Sequence, residues 1–215
     1  LHNENKWDDF KDAKLSNIKG TVYGYLSKYI EANNCYWKAL KVFEKLFGLY
    51  DERTISTLRN IGDVAKDLAK YDQALEVYDE CQKRYQKVFG LKHTNIAGTK
   101  NKIGQIWGTK GQYDKALEYF EKALTIYIHY YGESHPIVAV TLNLIGDVWN
   151  TKGQYDKALE YFEKALTIFI HYYGESHHNV AATLIRIGYV WNTKGQYDKA
   201  LEYFEKSLTI TIHYY

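Results

Sequence analysis

The tripeptide Gly-Gln-Tyr begins at Gly111, Gly153 and Gly195, steps of 42 residues (153 − 111 and 195 − 153), and each copy opens a stretch reading Gly-Gln-Tyr-Asp-Lys-Ala-Leu-Glu-Tyr-Phe-Glu-Lys. A unit this short cannot bury an apolar face by itself, so the period predicts a solenoid of stacked copies. A second marker, Ile-Gly, recurs at the same interval at Ile61, Ile103, Ile145 and Ile187, and Tyr71-Asp72-Gln73-Ala74-Leu75 matches Tyr113-Asp114-Lys115-Ala116-Leu117. Further upstream, Leu26-Ser27 and Tyr36-Trp37-Lys38-Ala39-Leu40 fit the pattern only at a spacing of 35, with seven residues missing between Phe43 and Tyr78. Seven residues are two helical turns, so such a deletion shortens a helix and leaves its buried stripe in phase. The expected organisation is an N-terminal segment, 1–19, with a capping helix, then repeats at 20–54 (shortened), 55–96, 97–138, 139–180 and 181–215. Phe10 and Ala13, spaced like Phe162 and Ala165, make residues 7–17 the remnant of one more second-of-pair helix covering the end.

Each unit divides into two helices by its own punctuation. Pro136 suits the first turn of a helix, where its missing N–H is not needed, with Ser134 or His135 as cap. Gly153 supplies the left-handed residue that ends this first helix near Lys152, and Tyr155 to Tyr173 forms the second before Gly174. Leu142, Ile145 and Trp149 line one stripe of the first helix, and Leu159, Phe162, Ala165 and Leu166 line the second at intervals of three and four. Gly146, unfavourable inside a helix, is expected to admit the second helix near Ala158. Glu118 and Lys122, Glu160 and Lys164, and Glu202 and Lys206 are i,i+4 pairs on a solvated face.

Composition bounds function. With 46% hydrophobic and 25% charged residues the chain can bury a core, and one Pro against 15 Gly favours helices with short turns. A formal charge of +2, from 28 basic and 26 acidic residues, gathers neither nucleic acid nor anionic lipid. No apolar run reaches the roughly 20 residues of a membrane span, and the polar start is no signal sequence. Cys35 and Cys81 lie in different repeats and suit a reducing compartment, so a cytoplasmic setting is expected. The chain starts at Leu1 and contains no Met, which reads as a fragment of a longer array. Residues 111–131 and 153–173 differ only at Tyr127 and Phe169, which means recent duplication or consensus design; the irregular first unit and the abundance of Tyr, Asn, Ile and Lys favour a natural source.

The run Leu142, Ile145, Gly146, Trp149, Tyr155, Ala158, Leu159, Phe162, Ala165 resembles the tetratricopeptide repeat. The 42-residue length and the joint from Gly132 to Asn143 resemble more narrowly the repeats of kinesin light chains. The resemblance implies an all-α solenoid, a right-handed superhelix of antiparallel helical hairpins, whose concave wall is made mainly by the first-of-pair helices and holds extended or helical peptides. Projected onto this chain, it puts Arg59, Asp63 and Lys66, then Asn101 and Gln105, then Asn143, Asp147 and Asn150, and last Ile185, Tyr189 and Asn192 on that wall. Asn and Gln there can donate to and accept from a peptide backbone, whereas Asp63 and Asp147 would repel an acidic one. The wall lacks a clamp of Lys and Asn for a terminal carboxylate, and has Leu144 or Arg186 where light-chain repeats tend to carry the second of two Asn.

No chemistry of another kind is expected. His129, His171 and His213, like His93, His135 and His177, recur one repeat apart, too far for one ion when packed helices stand about 8 to 10 Å apart, so cap and turn roles are expected and no metal or other cofactor. Glu133-Ser134-His135 sets a hydroxyl beside an imidazole but repeats at a joint, without an oxyanion hole, and is not catalytic. Trp107, Trp149 and Trp191 form a stripe that core packing explains better than base stacking. The expected function is a non-enzymatic scaffold binding a protein or peptide. The second reading is a regulatory sensor module of a larger signalling or effector enzyme whose catalytic domain lies outside this sequence. Self-association is expected through the last repeat, where Ile210 and Ile212 would face a missing neighbour.

Overall fold

In the computed structural model, which describes residues 2–214 and side chains over residues 6–212, no strand occurs among the described residues. The helices are α1 (His2–Tyr25), α2 (Tyr29–Phe47), α3 (Glu52–Asp67), α4 (Tyr71–Phe89), α5 (Thr94–Thr109), α6 (Tyr113–Tyr131), α7 (Pro136–Thr151), α8 (Tyr155–Tyr173), α9 (His178–Thr193) and α10 (Tyr197–Tyr214). They fall into two compact units, Leu1–Ile106 and Trp107–Tyr215. No helix among the described residues is long and apolar enough to cross a membrane.

The punctuation read from the sequence recurs in each repeat. The first helix of a pair ends in a left-handed residue: Gly111, Gly153 and Gly195 have φ of 73°, 73° and 75°. The amide of Gln154 donates back to the Trp149 carbonyl at 2.9 Å, and that of Gly153 to Asn150 at 2.9 Å, the paired bonds that satisfy the last carbonyls of a helix. In the first unit Ser27 and Ala69 take this place at φ of 56° and 57°, a conformation in which Cβ crowds the following carbonyl.

The helices of a pair approach through a glycine. A Cβ on Gly146 would lie 2.5 Å from the Phe162 ring, so the space left by the missing side chain is filled by that ring, not by the Ala158 region. Gly188 meets Phe204 in the same way, and in the first unit Gly62 meets Tyr78 and Gly20 meets Tyr36.

This last contact corrects the reading of the N-terminus. Gly20 and Tyr36 lie 42 residues before Gly62 and Tyr78, as Ser27 lies 42 before Ala69, so the first hairpin keeps the full period rather than 35. Helix α2 has 19 residues, the same as α4, and is not shortened. The Tyr36 to Leu40 segment mimics the repeat start by coincidence; the buried counterpart of Ala74 is Ala32. Nor do residues 7–17 form a separate cap: they belong to one continuous helix of 24 residues that crosses the expected 19/20 boundary. That helix packs on α2 as the first of the pair, with Ala13 buried against Ala39 and Phe43.

Candidate functional site

The joints between repeats are built by aromatic rings and a side-chain cap. His135 caps α7, its Nδ1 accepting from the Ile137 amide at 3.2 Å, and its ring stacks on Tyr131 at 4.3 Å. His177 repeats this on Asn179 and Tyr173, and in the first unit His93 does so on Asn95 and Phe89. An imidazole nitrogen accepts only when unprotonated. Burial, then the neighbouring His178, holds the His177 pKa below its usual value. The earliest joint differs: Asp51 caps α3, accepting from the Arg53 amide at 3.0 Å and from its guanidinium, which lies 3.5 Å over the Phe47 ring. The Arg53 side chain holds the Asp51 carboxyl below its ordinary value. Among the described residues no group of three metal-ligating side chains converges. The side chain of His213 lies outside the described residues.

The expected wall residues sort by environment. In the first unit Asp63 accepts from the hydroxyl of buried Tyr78 and pairs with Lys102 at 2.8 Å. Lys66 pairs with its neighbour Asp67 at 3.2 Å, and Arg59 is half-buried with an enclosed Nε. On α5, Asn101 is buried and Gln105 exposed. In the second unit Asn143 on α7 is buried, its Nδ2 donating to Thr183 Oγ1 on α9 at 2.9 Å. Asn143 therefore sits between helices instead of offering its amide to an incoming backbone, and Asn101 is buried. Asp147 takes Arg186 Nε at 3.2 Å. Burial pushes its carboxyl above the usual range and Arg186 opposes that shift. Asn150 is half-buried, while Ile185, Tyr189 and Asn192 on α9 are exposed.

Two residues outside the expected binding set, Lys102 and Arg186, neutralise the two acids thought to repel an acidic partner. The signal was present: Asp63 to Lys102 and Asp147 to Arg186 are both separations of 39, one period less three residues, the offset that sets one helix's turn against its neighbour's. What remains open on α9 is mixed: the apolar Ile185 and Tyr189, the latter edge-on to Phe204 at 5.3 Å, beside the amide of Asn192.

The tryptophans pack as expected, Trp149 against the core clusters of both neighbouring hairpins. Each also carries a lysine ammonium over its ring at 4.3 Å, Lys115 on Trp107, Lys157 on Trp149 and Lys199 on Trp191. At the last repeat, Ile210 faces inward, lining a groove of about 670 Å³ with Leu166, Ile170, Val180 and Leu184. It does not point toward a following neighbour, contrary to the sequence reading.

The family model of the tetratricopeptide repeat matches residues 12–87, 59–127, 95–169 and 150–212. No curated protein matches the sequence. Among solved structures, BtubC (BKLC) from P. vanneervenii superposes with a TM-score of 0.80 at 16% identity, covering 98% of this chain and 91% of that one. The nearly identical repeats of a kinesin-light-chain-like protein of Podosopora anserina give 0.74 at 15% identity over 92% and 94%. A Rap protein complexed with Competence and Sporulation Factor gives 0.65 at 16% identity over 95% of this chain and 65% of that one. At these identities the likeness is one of fold.

Proposed function

The chain belongs to the tetratricopeptide repeat family, and from that premise we propose that it is a non-enzymatic scaffold that binds a segment of a partner protein along the open side of its first-of-pair helices. Members of this family commonly mediate protein–protein interaction. The observation that carries the proposal is the exposed pair Ile185 and Tyr189 on α9, beside an Asp147–Arg186 pair that is already balanced. Exposed aromatic and aliphatic side chains give a partner anchors, and self-compensated charges ask for no counter-charge from it. A cytoplasmic setting, with no part for membrane or nucleic acid, belongs to the same proposal, since Cys35 and Cys81 are free thiols and the net charge is +2. A second reading, a sensor module of a larger regulatory protein, draws on the Rap structure, whose chain continues beyond the region matched.

The test compares the chain with its Ile185→Ala, Tyr189→Ala, Asn192→Ala variant. Partners captured by the unaltered chain are identified by mass spectrometry, and the best is titrated as purified protein against both forms. The expected result is a loss of at least about tenfold in affinity with unchanged helical circular dichroism. Equal affinity of both forms removes the assigned face.

A further inference from the structure

Among the described residues, Arg59 is the one arginine that no acid holds. The other three each pair through Nε with a carboxylate: Arg53 with Asp51 at 2.8 Å, Arg84 with Glu80 at 2.8 Å and Arg186 with Asp147 at 3.2 Å. The Nε of Arg59 is enclosed and bonded to nothing. Arg59, Asn101 and Asn143 occupy one position of successive repeats, in steps of 42 residues (101 − 59 and 143 − 101), and from that position Asn143 reaches Thr183 on the next first-of-pair helix. The matching hydroxyl for Arg59 is that of Thr99, which donates to the Asn95 carbonyl at 2.9 Å and accepts nothing from the guanidinium. Asp63, one turn along α3, takes the Tyr78 hydroxyl and the Lys102 ammonium on one oxygen, and Lys66 pairs with Asp67. Arg59, Lys66 and Lys102 thus stand against Asp63 and Asp67, which leaves one positive charge over however the pairs are drawn.

We propose that Arg59 is the point at which a partner segment held along the first-of-pair helices delivers a carboxylate. This rests on the scaffold reading above and adds the chemistry of the segment. The two Nη nitrogens of Arg59, unlike Nε, are not enclosed, which leaves the end of the guanidinium open to a planar group with two acceptor oxygens. One surplus charge matches a carboxylate, whereas a phosphorylated side chain, at about −1.5 to −2, would exceed it. A half-buried guanidinium without a counter-charge is unfavourable in the free protein, and a carboxylate supplied on binding relieves it.

The probe is sodium acetate, followed through the Nε–Hε magnetic resonance signals of the four arginines in the isotope-labelled full chain. Each signal is assigned with its own variant: Arg53→Lys, Arg59→Lys, Arg84→Lys or Arg186→Lys. With sodium chloride making up a constant ionic strength, the Arg59 signal is expected to move along a saturating curve while the three paired arginines stay in place. Acetyl-Ala-Glu-Ala-amide, and acetyl-Ala-Ala-Ala with a free carboxyl end, should act as acetate does, and the more effective of the two identifies a side chain or a chain end as the source. Acetyl-Ala-Gln-Ala-amide should leave Arg59 unmoved. The proposal is overturned if acetate moves no signal, if it moves all four alike, or if the Gln peptide matches the Glu peptide. Because no partner enters this titration, it can fail while the α9 face holds. Conversely, Ile185→Ala with Tyr189→Ala can abolish partner capture while Arg59 still takes acetate.

Discussion

At the scale of single residues, two positions hold a backbone conformation their side chains resist. Ala69 stands at φ of 57° where later repeats use Gly111, Gly153 and Gly195. Replacing it with Gly removes the clash of Cβ with the following carbonyl but enlarges the freedom of the unfolded chain. The first effect, about 1 to 2 kcal/mol, exceeds the second, so Ala69→Gly is expected to stabilise by about 0.5 to 1 kcal/mol in urea unfolding. A second expectation concerns protons. The folded-state pKa of His177 is lowered, so its cap contributes fully above the unfolded value near 6.5 and is lost as pH falls through the folded value. Asp51, also lowered, keeps its cap until pH falls through its own depressed value, below the ordinary carboxylate range near 4. Hydrogen exchange from pH 7 to 5 should therefore loosen the Asn179 amide while leaving the Arg53 amide protected relative to its intrinsic rate. Equal loosening of both would contradict the assigned caps.

Between helices, the decisive contact is ring against glycine. Gly146→Ala gains up to about 1 kcal/mol of helix propensity but forces a Cβ to 2.5 Å from the Phe162 ring. Overpacking of that kind costs about 1 to 3 kcal/mol, so packing wins and the substitution should destabilise. Truncating the ring opens the space: Phe162→Leu combined with Gly146→Ala should cost less than the sum of the two single changes, measured by thermal unfolding. Strict additivity would mean the two residues do not meet. The glycine was legible in the sequence as an anomaly, but its partner was not. Ala158 and Phe162 lie one turn apart on the same face of α8, and only helix offset decides which of them fills the gap. The same limit explains the N-terminus: Tyr36-x-x-Ala39-Leu40 imitates the repeat start, and the true register rests on Gly20 meeting Tyr36.

Taken across the second unit, identical local sequence meets different surroundings. Leu159 and Leu201 sit in the same run, Tyr-Asp-Lys-Ala-Leu-Glu-Tyr-Phe, yet one is buried under α9 and the other is open. Leu159→Asp should therefore cost about 3 kcal/mol or more, from lost packing and a buried carboxylate, whereas Leu201→Asp should stay within about 0.5 kcal/mol. Comparable melting temperatures for the two variants would show that the last hairpin is covered in solution. Sequence alone determined the repeat unit, the helical hairpin, its turns and the apolar stripe of each helix, because these depend on spacing along one chain and on backbone preferences that each copy restates. The tertiary structure alone decided which ring enters which glycine notch, that Asn143 lies between α7 and α9, and which stripe is covered. Those outcomes depend on the offset between neighbouring helices and on whether a neighbour is there at all, and a periodic sequence writes the same letters in either case.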